Sequence, residues 1–286
     1  GEFIMQREMC IEDFRKKKEF LLCVDSDGCV MDTMNVKHIK GFGPCVIDEW
    51  ELEEFRDEIL ERWNVINLYS MDRGLNRYKG LHLILQEIHE KYRPVEGLES
   101  YREWVLNTRE FSLPSLQKAL EANPNIGLQK ALNWSLAVNK TIAALAPEEL
   151  KPFEGVDAYL KTFYESCDIA IVSSASPAAL KDEWGRYGLI DYVDIMLAQD
   201  AGTKESIIQR LLEKGYQKDK VLMIGDAPGD MKAADKNRVS FYPILVGQEV
   251  ESWKKFPAAM ERFLNGSYNE EYNAALHKEF IDNLSV

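Results

Sequence analysis

Several short apolar runs in this chain stop abruptly at carboxylates or hydroxyls. Phe20-Leu21-Leu22-Cys23-Val24 runs into Asp-Ser-Asp-Gly, Ile169-Ala170-Ile171-Val172 into two serines, and Val221-Leu222-Met223-Ile224 into Gly-Asp. An uninterrupted run of this length reads as a strand buried on both faces, because a strand with one wet face alternates apolar and polar residues. Helical stretches lie between the runs: one ends near Ser166, one reaches Tyr187, one reaches Lys214 and one starts at Gly229. Further strands are expected over 193–197 and 241–246. Strand alternating with helix predicts an α/β fold, a Rossmann-like parallel sheet with helices on both faces.

Residues 31–150 break that rhythm. Apolar residues there recur at helical spacing, as in Leu52, Phe55, Ile59 and Trp63, in Leu81, Ile84, Leu85 and Ile88, and in Leu128, Leu132 and Leu136. Leu98, Tyr101 and Trp104, and Leu113, Leu116 and Leu120, add further helices. The spacing predicts an all-helical insertion after the first strand. The chain then divides into a lead-in over 1–19, an α/β core over 20–30 and 151–247, the insertion over 31–150 and a helical extension over 248–286. Gly1 to Phe3 read as a cloning remnant. The extension holds two amphipathic helices, one through Trp253, Phe256, Met260 and Phe263, the other through Tyr272, Leu276, Phe280 and Leu284. They are expected as an appendage that packs on the core or on a partner subunit; the sequence does not set the oligomeric state.

With 35 basic against 48 acidic residues the formal charge is -13, which repels nucleic acid and anionic membranes at long range. Neither is expected as a partner. An anionic substrate would need local cations to overcome the same field. Five widely spaced cysteines with no CxxC pair read as reduced thiols in a cytoplasmic protein. No apolar run approaches the roughly 20 residues that span a bilayer, and the start lacks the order of a signal peptide. The expectation is a soluble protein that is not exported.

Ligands of open parallel sheets bind beyond the carboxyl ends of the strands. The polar residues that follow the runs are Asp25 and Asp27, Ser173 and Ser174, Thr203 and Lys204, and Asp226 and Asp230. Carboxylates gathered at one edge repel, at about 4 kcal/mol for two charges 4 Å apart in a surface-like dielectric. A cation must sit among them, and oxygen-only ligands suit Mg²⁺. A metal, the Lys204 ammonium and the Ser174 hydroxyl together can neutralise and orient a phosphoryl group. Asp25 is placed to attack phosphorus as a nucleophile. Asp27 is close enough to protonate the leaving oxygen and then to deprotonate a water.

Asp25-Ser26-Asp27-Gly28-Cys29-Val30 resembles the first motif (DxDGxV) of the haloacid dehalogenase superfamily phosphatases. Ile171 to Ser176 resembles the second motif, Lys204 the lysine of the third, and Gly225-Asp226-Ala227-Pro228-Gly229-Asp230 the GDxxxD form of the fourth. Glu205 stands where many relatives have proline. The resemblance implies an inserted helical cap of the C1 type, in the branch of phosphoglycolate phosphatase and beta-phosphoglucomutase. It implies a Mg²⁺ site using the Asp25 side chain, the Asp27 backbone carbonyl and the Asp226 side chain, with Asp230 one layer further out. The activity implied is hydrolysis of a small phosphorylated metabolite through an aspartyl-phosphate.

Arg73-Gly74-Leu75-Asn76-Arg77 resembles cap loops that contact substrate, so Arg73 and Arg77 are candidate substrate ligands, with Lys37 and His38 at the start of the cap. The other histidines, His82, His89 and His277, are expected as solvated helix-face residues. A sugar-phosphate mutase is the competing reading, since the stretch from Arg73 to Leu85 resembles beta-phosphoglucomutase, although Lys37 replaces that enzyme's histidine. A silent binding protein is the third, and four retained aspartates argue against it. A dehalogenase of the family lacks the second aspartate that is Asp27 here.

Overall fold

The structure, a computed structural model, describes residues 9–284; Gly1 to Phe3, read above as a cloning remnant, lie outside them. Seven strands occur among the described residues: β1 (Phe20–Val24), β2 (Met31–Asp32), β3 (Lys151–Pro152), β4 (Cys167–Val172), β5 (Ile195–Leu197), β6 (Val221–Gly225) and β7 (Ser240–Pro243). Five of them form a parallel sheet in the order β5-β4-β1-β6-β7. Leu22 lies opposite Ile169 on one side and Leu222 on the other.

The sheet is buried on both faces, which is why its strands read as unbroken apolar runs. Leu22, Val24, Ile169, Ile171, Leu222 and Ile224 point into one core, and Leu21, Cys23, Ala170, Val172, Val221 and Met223 into the other. The first core is closed by helices Val156–Tyr164 and Pro177–Arg186, the second by Lys204–Leu212 and Pro228–Asn237.

The two C-terminal helices pack on the core, one of the two expected alternatives, and closely enough to be layers of the fold. Trp253, Phe256, Met260 and Phe263 of Glu249–Asn265 are fully buried in the first core, and Phe280 and Leu284 of Glu270–Leu284 in the second. Between them the chain passes the edge strand β7. There the Phe241 amide donates to Asn273 Oδ1 at 3.0 Å, and the Phe241 carbonyl accepts from the Tyr268 hydroxyl at 2.6 Å. The lead-in is tied down as well: Ile11 and Phe14 are buried, and the amides of Lys17 and Lys18 donate to Asp168 Oδ2.

The expected strand over 193–197 begins only at Ile195, because the Asp194 carboxylate turns back to accept from the Ile169 amide at 2.8 Å. The strand expected to reach residue 246 ends at Pro243. Residues 31 and 32 are not helical: β2 pairs antiparallel with β3, across more than a hundred residues.

The described residues divide into two compact units, one up to Met34 and from Pro147 onward, the other Asn35–Ala146. The second unit is helical and has its own core around Trp63, Trp134, Tyr101, Leu81 and Ile88. Its longer helices are Arg77–Lys91 and Ile126–Ala143, capped by the side chains of Asn76 and Asn125. Two π-helical turns, His38–Phe42 and Val65–Tyr69, were not foreseen from the sequence. No helix among the described residues is long and apolar enough to cross a membrane. The five cysteines are free thiols, four of them buried.

Candidate active site

The carboxyl end of the parallel sheet gathers the acidic residues. Asp25 follows β1, and its amide donates to the Ile224 carbonyl of β6 at 3.0 Å. The chain then folds into a tight loop in which the Ser26 carbonyl accepts from the amides of Cys29, Val30 and Met31. Gly28 turns the loop at φ 77°, a conformation that costs glycine nothing. Trp184 donates its indole N–H to Ser26 Oγ at 2.8 Å, and Trp253 donates to the Cys29 carbonyl at 2.8 Å.

Asp226 follows β6, and Asp230 sits in the first turn of helix Pro228–Asn237, where a carboxylate faces the positive end of the helix. Asp230 Oδ2 accepts from the amides of Asp226 and Ala227 at 3.2 and 3.1 Å. This brings Asp230 against the end of β6 so closely that a Cβ at Gly225 would lie 2.3 Å from Asp230 Oδ2.

Lys204 opens helix Lys204–Leu212, which Thr203 caps by accepting from the Ser206 amide. Its ammonium lies 2.6 Å from Asp230 Oδ1 and 3.2 Å from Asp25 Oδ1. Two further contacts hold this helix to Pro228–Asn237: Asn237 Nδ2 donates to the Glu205 carbonyl, and Lys236 pairs with the Glu205 carboxylate. Glu205 thus joins the two helices.

Asp25, Asp226 and Asp230 are all buried, and each presents an oxygen within 4.8 Å of the others. Burial pushes the Asp25 carboxyl well above the usual carboxylate range; Asp230 and Asp226 push it further and Lys204 opposes them. Burial alone would lower the Lys204 ammonium, but Asp230 and Asp25 outweigh it and hold it charged. One ammonium against three buried carboxylates leaves excess negative charge, and an all-oxygen donor set fits a hard divalent cation.

Asp27 is half-buried, and its Oδ1 accepts a short hydrogen bond from the hydroxyl of the fully buried Thr33. Ser174 is exposed just past β4, the strand beside β1. Its neighbour Ser173 is buried and accepts from the Ala175 amide. The structure therefore joins Asp25, Lys204, Asp226 and Asp230 directly, with Asp27 on the same loop and Ser174 at the end of the adjoining strand.

The remaining candidates lie in the helical unit. Lys37 is buried at the end of helix Met34–Lys37. His38 Nδ1 accepts from the Trp63 indole at 3.1 Å, and the ring stacks on Phe42. Arg73 is buried and donates to the Leu68 carbonyl at 2.8 Å. Arg77 donates to Ser135 Oγ and Asn139 Oδ1, with its guanidinium over the Phe42 ring at 4.9 Å. It braces the start of helix Arg77–Lys91 against the middle of Ile126–Ala143.

His89 is exposed on its helix, as expected, but His82 and His277 are not fully solvated. His82 Nε2 is buried, His89 Nδ1 accepts from the Val95 amide, and His277 pairs with Asp235 at 2.6 Å. Sequence reasoning also missed Thr33, Trp184, Asn237 and Trp253 as neighbours of the site. No spacing marks them, since each acts through a contact made in the fold.

A family model described as haloacid dehalogenase-like hydrolase matches residues 76–244. No curated protein sequence matches the chain. Among solved structures the chain is similar to a haloacid dehalogenase-like family hydrolase from Streptococcus pneumoniae, at 12% identity and a TM-score of 0.44, covering 82% of this chain and 90% of that one. It is similar to a "predicted phosphatase" from Clostridium acetobutylicum, at 17% identity and a TM-score of 0.45, covering 82% and 90%. A subfamily IA hydrolase from Geobacter sulfurreducens shares 17% identity at a TM-score of 0.39, covering 78% and 86%.

Proposed function

This chain belongs to the haloacid dehalogenase-like hydrolases, and from that premise we propose that it is a Mg²⁺-dependent phosphatase of small phosphorylated metabolites. The observation that carries the reading is the Asp25 carboxylate, set 3.2 Å from the Lys204 ammonium among three buried carboxylates at the end of the parallel sheet. Asp25, Asp226 and Asp230, with the Asp27 backbone carbonyl, would hold the Mg²⁺. When bound, the ion neutralises the carboxylates and draws charge from the phosphoryl oxygens.

In the first step an Asp25 oxygen forms a bond to phosphorus while the ester P–O bond breaks, and Asp27 gives its proton to the leaving oxygen. In the second, Asp27 takes a proton from water, whose oxygen bonds to phosphorus as the Asp25–P bond breaks. Lys204 and Ser174 hold phosphoryl oxygens through both steps. The Thr33 hydroxyl donates to Asp27 Oδ1 and so orients the carboxyl group, leaving Oδ2 to carry the proton. Small phosphate esters suit an acidic protein because the cations they need are local.

The test is phosphate release from a panel of phosphorylated metabolites with Mg²⁺, using wild type and Asp25→Asn. Wild type should release phosphate only with the metal present, and Asp25→Asn should fall below about one per cent of that rate with its melting temperature retained. Activity that survives exhaustive chelation, or in Asp25→Asn, defeats the reading. Isomerisation of a sugar phosphate without release would make the enzyme a mutase.

A further inference from the structure

Glu249–Asn265 follows the last strand of the sheet and adds no residue to the cluster around Asp25. One of its side chains nevertheless reaches the loop that carries Asp25 and Asp27. Trp253 is fully buried and directs its indole N–H at the Cys29 carbonyl, 2.8 Å away. Cys29 is buried as well and lies two residues after Asp27.

The geometry around this contact is stiff. The Trp253 ring is stacked on Tyr159 at 6.2 Å and meets Phe256 edge-on at 5.1 Å. Its own helix is fastened to the end of β7 at the preceding residue: the Ser252 carbonyl accepts a short hydrogen bond from the Tyr242 hydroxyl, and Ser252 Oγ accepts from the Leu245 amide at 2.9 Å. The indole therefore has little freedom to follow the loop if the loop moves. Within the loop, the amides of Cys29, Val30 and Met31 all donate to the Ser26 carbonyl, so residues 26–31 move as one piece. Fixing the Cys29 carbonyl thus fixes the turn on which the Asp27 carboxyl is mounted.

We infer that helix Glu249–Asn265 holds the Asp25–Asp27 loop in its reactive geometry through the Trp253 indole, which makes Trp253 a positioning residue. This rests on the function proposed above, because the geometry at stake is that of an in-line attack by Asp25 with proton transfer by Asp27. Small displacements of such groups cost rate far more than they cost binding.

Trp253→Phe keeps an aromatic ring in the core and removes the donor; a benzothienyl side chain at 253 keeps the indole shape and removes only the N–H. In either variant kcat should fall by about ten- to a hundredfold with KM within about twofold of wild type. Hydrogen exchange at the amides of Cys29, Val30 and Met31 should quicken by about tenfold as the loop loosens. Phe263→Leu, ten residues further along the same helix, separates this from general weakening of the core. It should lower the melting temperature yet leave kcat and the loop amides within about twofold of wild type.

The inference is overturned if both Trp253 variants keep wild-type kcat and exchange, or if Phe263→Leu loses kcat to the same degree. A wild type that releases no phosphate defeats the proposed function instead. Exchange at residues 29–31 then decides alone: quickening in the Trp253 variants sustains the clamp, and unchanged exchange overturns it.

Discussion

Gly225 shows how narrowly the site is built at the level of single atoms. An added Cβ there would lie 2.3 to 2.4 Å from Oδ2, Cβ and Cγ of Asp230, which is itself fixed by two backbone amides and Lys204. Gly225→Ala should force Asp230 away, destabilise the protein by about 1 to 3 kcal/mol and abolish most of the phosphate release proposed above; denaturant unfolding and phosphate release measure the two effects. The aspartates and Lys204 were legible in the sequence because each stands where an apolar run or its following turn ends, and topology carries such positions to one edge of a parallel sheet. Thr33 and Trp253 were not. A threonine six residues from its acceptor and a tryptophan 224 residues from its acceptor leave no local pattern.

Among the elements, the edge strand β7 has the least obvious support. Its Phe241 amide and carbonyl face away from β6, and side chains from the C-terminal segment, Asn273 and Tyr268, satisfy both. An uncovered edge is a template for pairing with another chain. Asn273→Ala should leave the Phe241 amide without its acceptor and cost about 1 kcal/mol or more, seen as faster exchange at that amide and a lower denaturation midpoint. The strands of the sheet were readable because burial on both faces removes the polar residues that would interrupt them. The ribbon of β2 and β3 was not, since two residues per strand carry no periodicity, and the π-helical turns share their apolar spacing with ordinary helices.

At the scale of the molecule, two units carry separate cores. Trp134 is the deepest large side chain of the helical one: fully buried, near Trp63 and Phe42, with its indole donating to the Phe42 carbonyl. Trp134→Ala should cost that unit about 3 to 5 kcal/mol while calorimetric Mg²⁺ affinity at the Asp25 cluster stays within about twofold, as expected for sites without shared partners. The division into an α/β part and a helical part was visible as a change of period from strand runs to helical spacing; the layering of the C-terminal helices onto the sheet was not, because an amphipathic face does not say what it will cover. The Trp253 clamp sets a timetable for biosynthesis. At about 5 to 20 residues per second, a ribosome that has just completed Cys29 needs on the order of ten to forty seconds more to supply the indole that will hold it. Until then the loop bearing both aspartates lacks that one hydrogen bond, so on the proposed function activity should appear late, and a pause in translation ahead of residue 253 would prolong that silent interval.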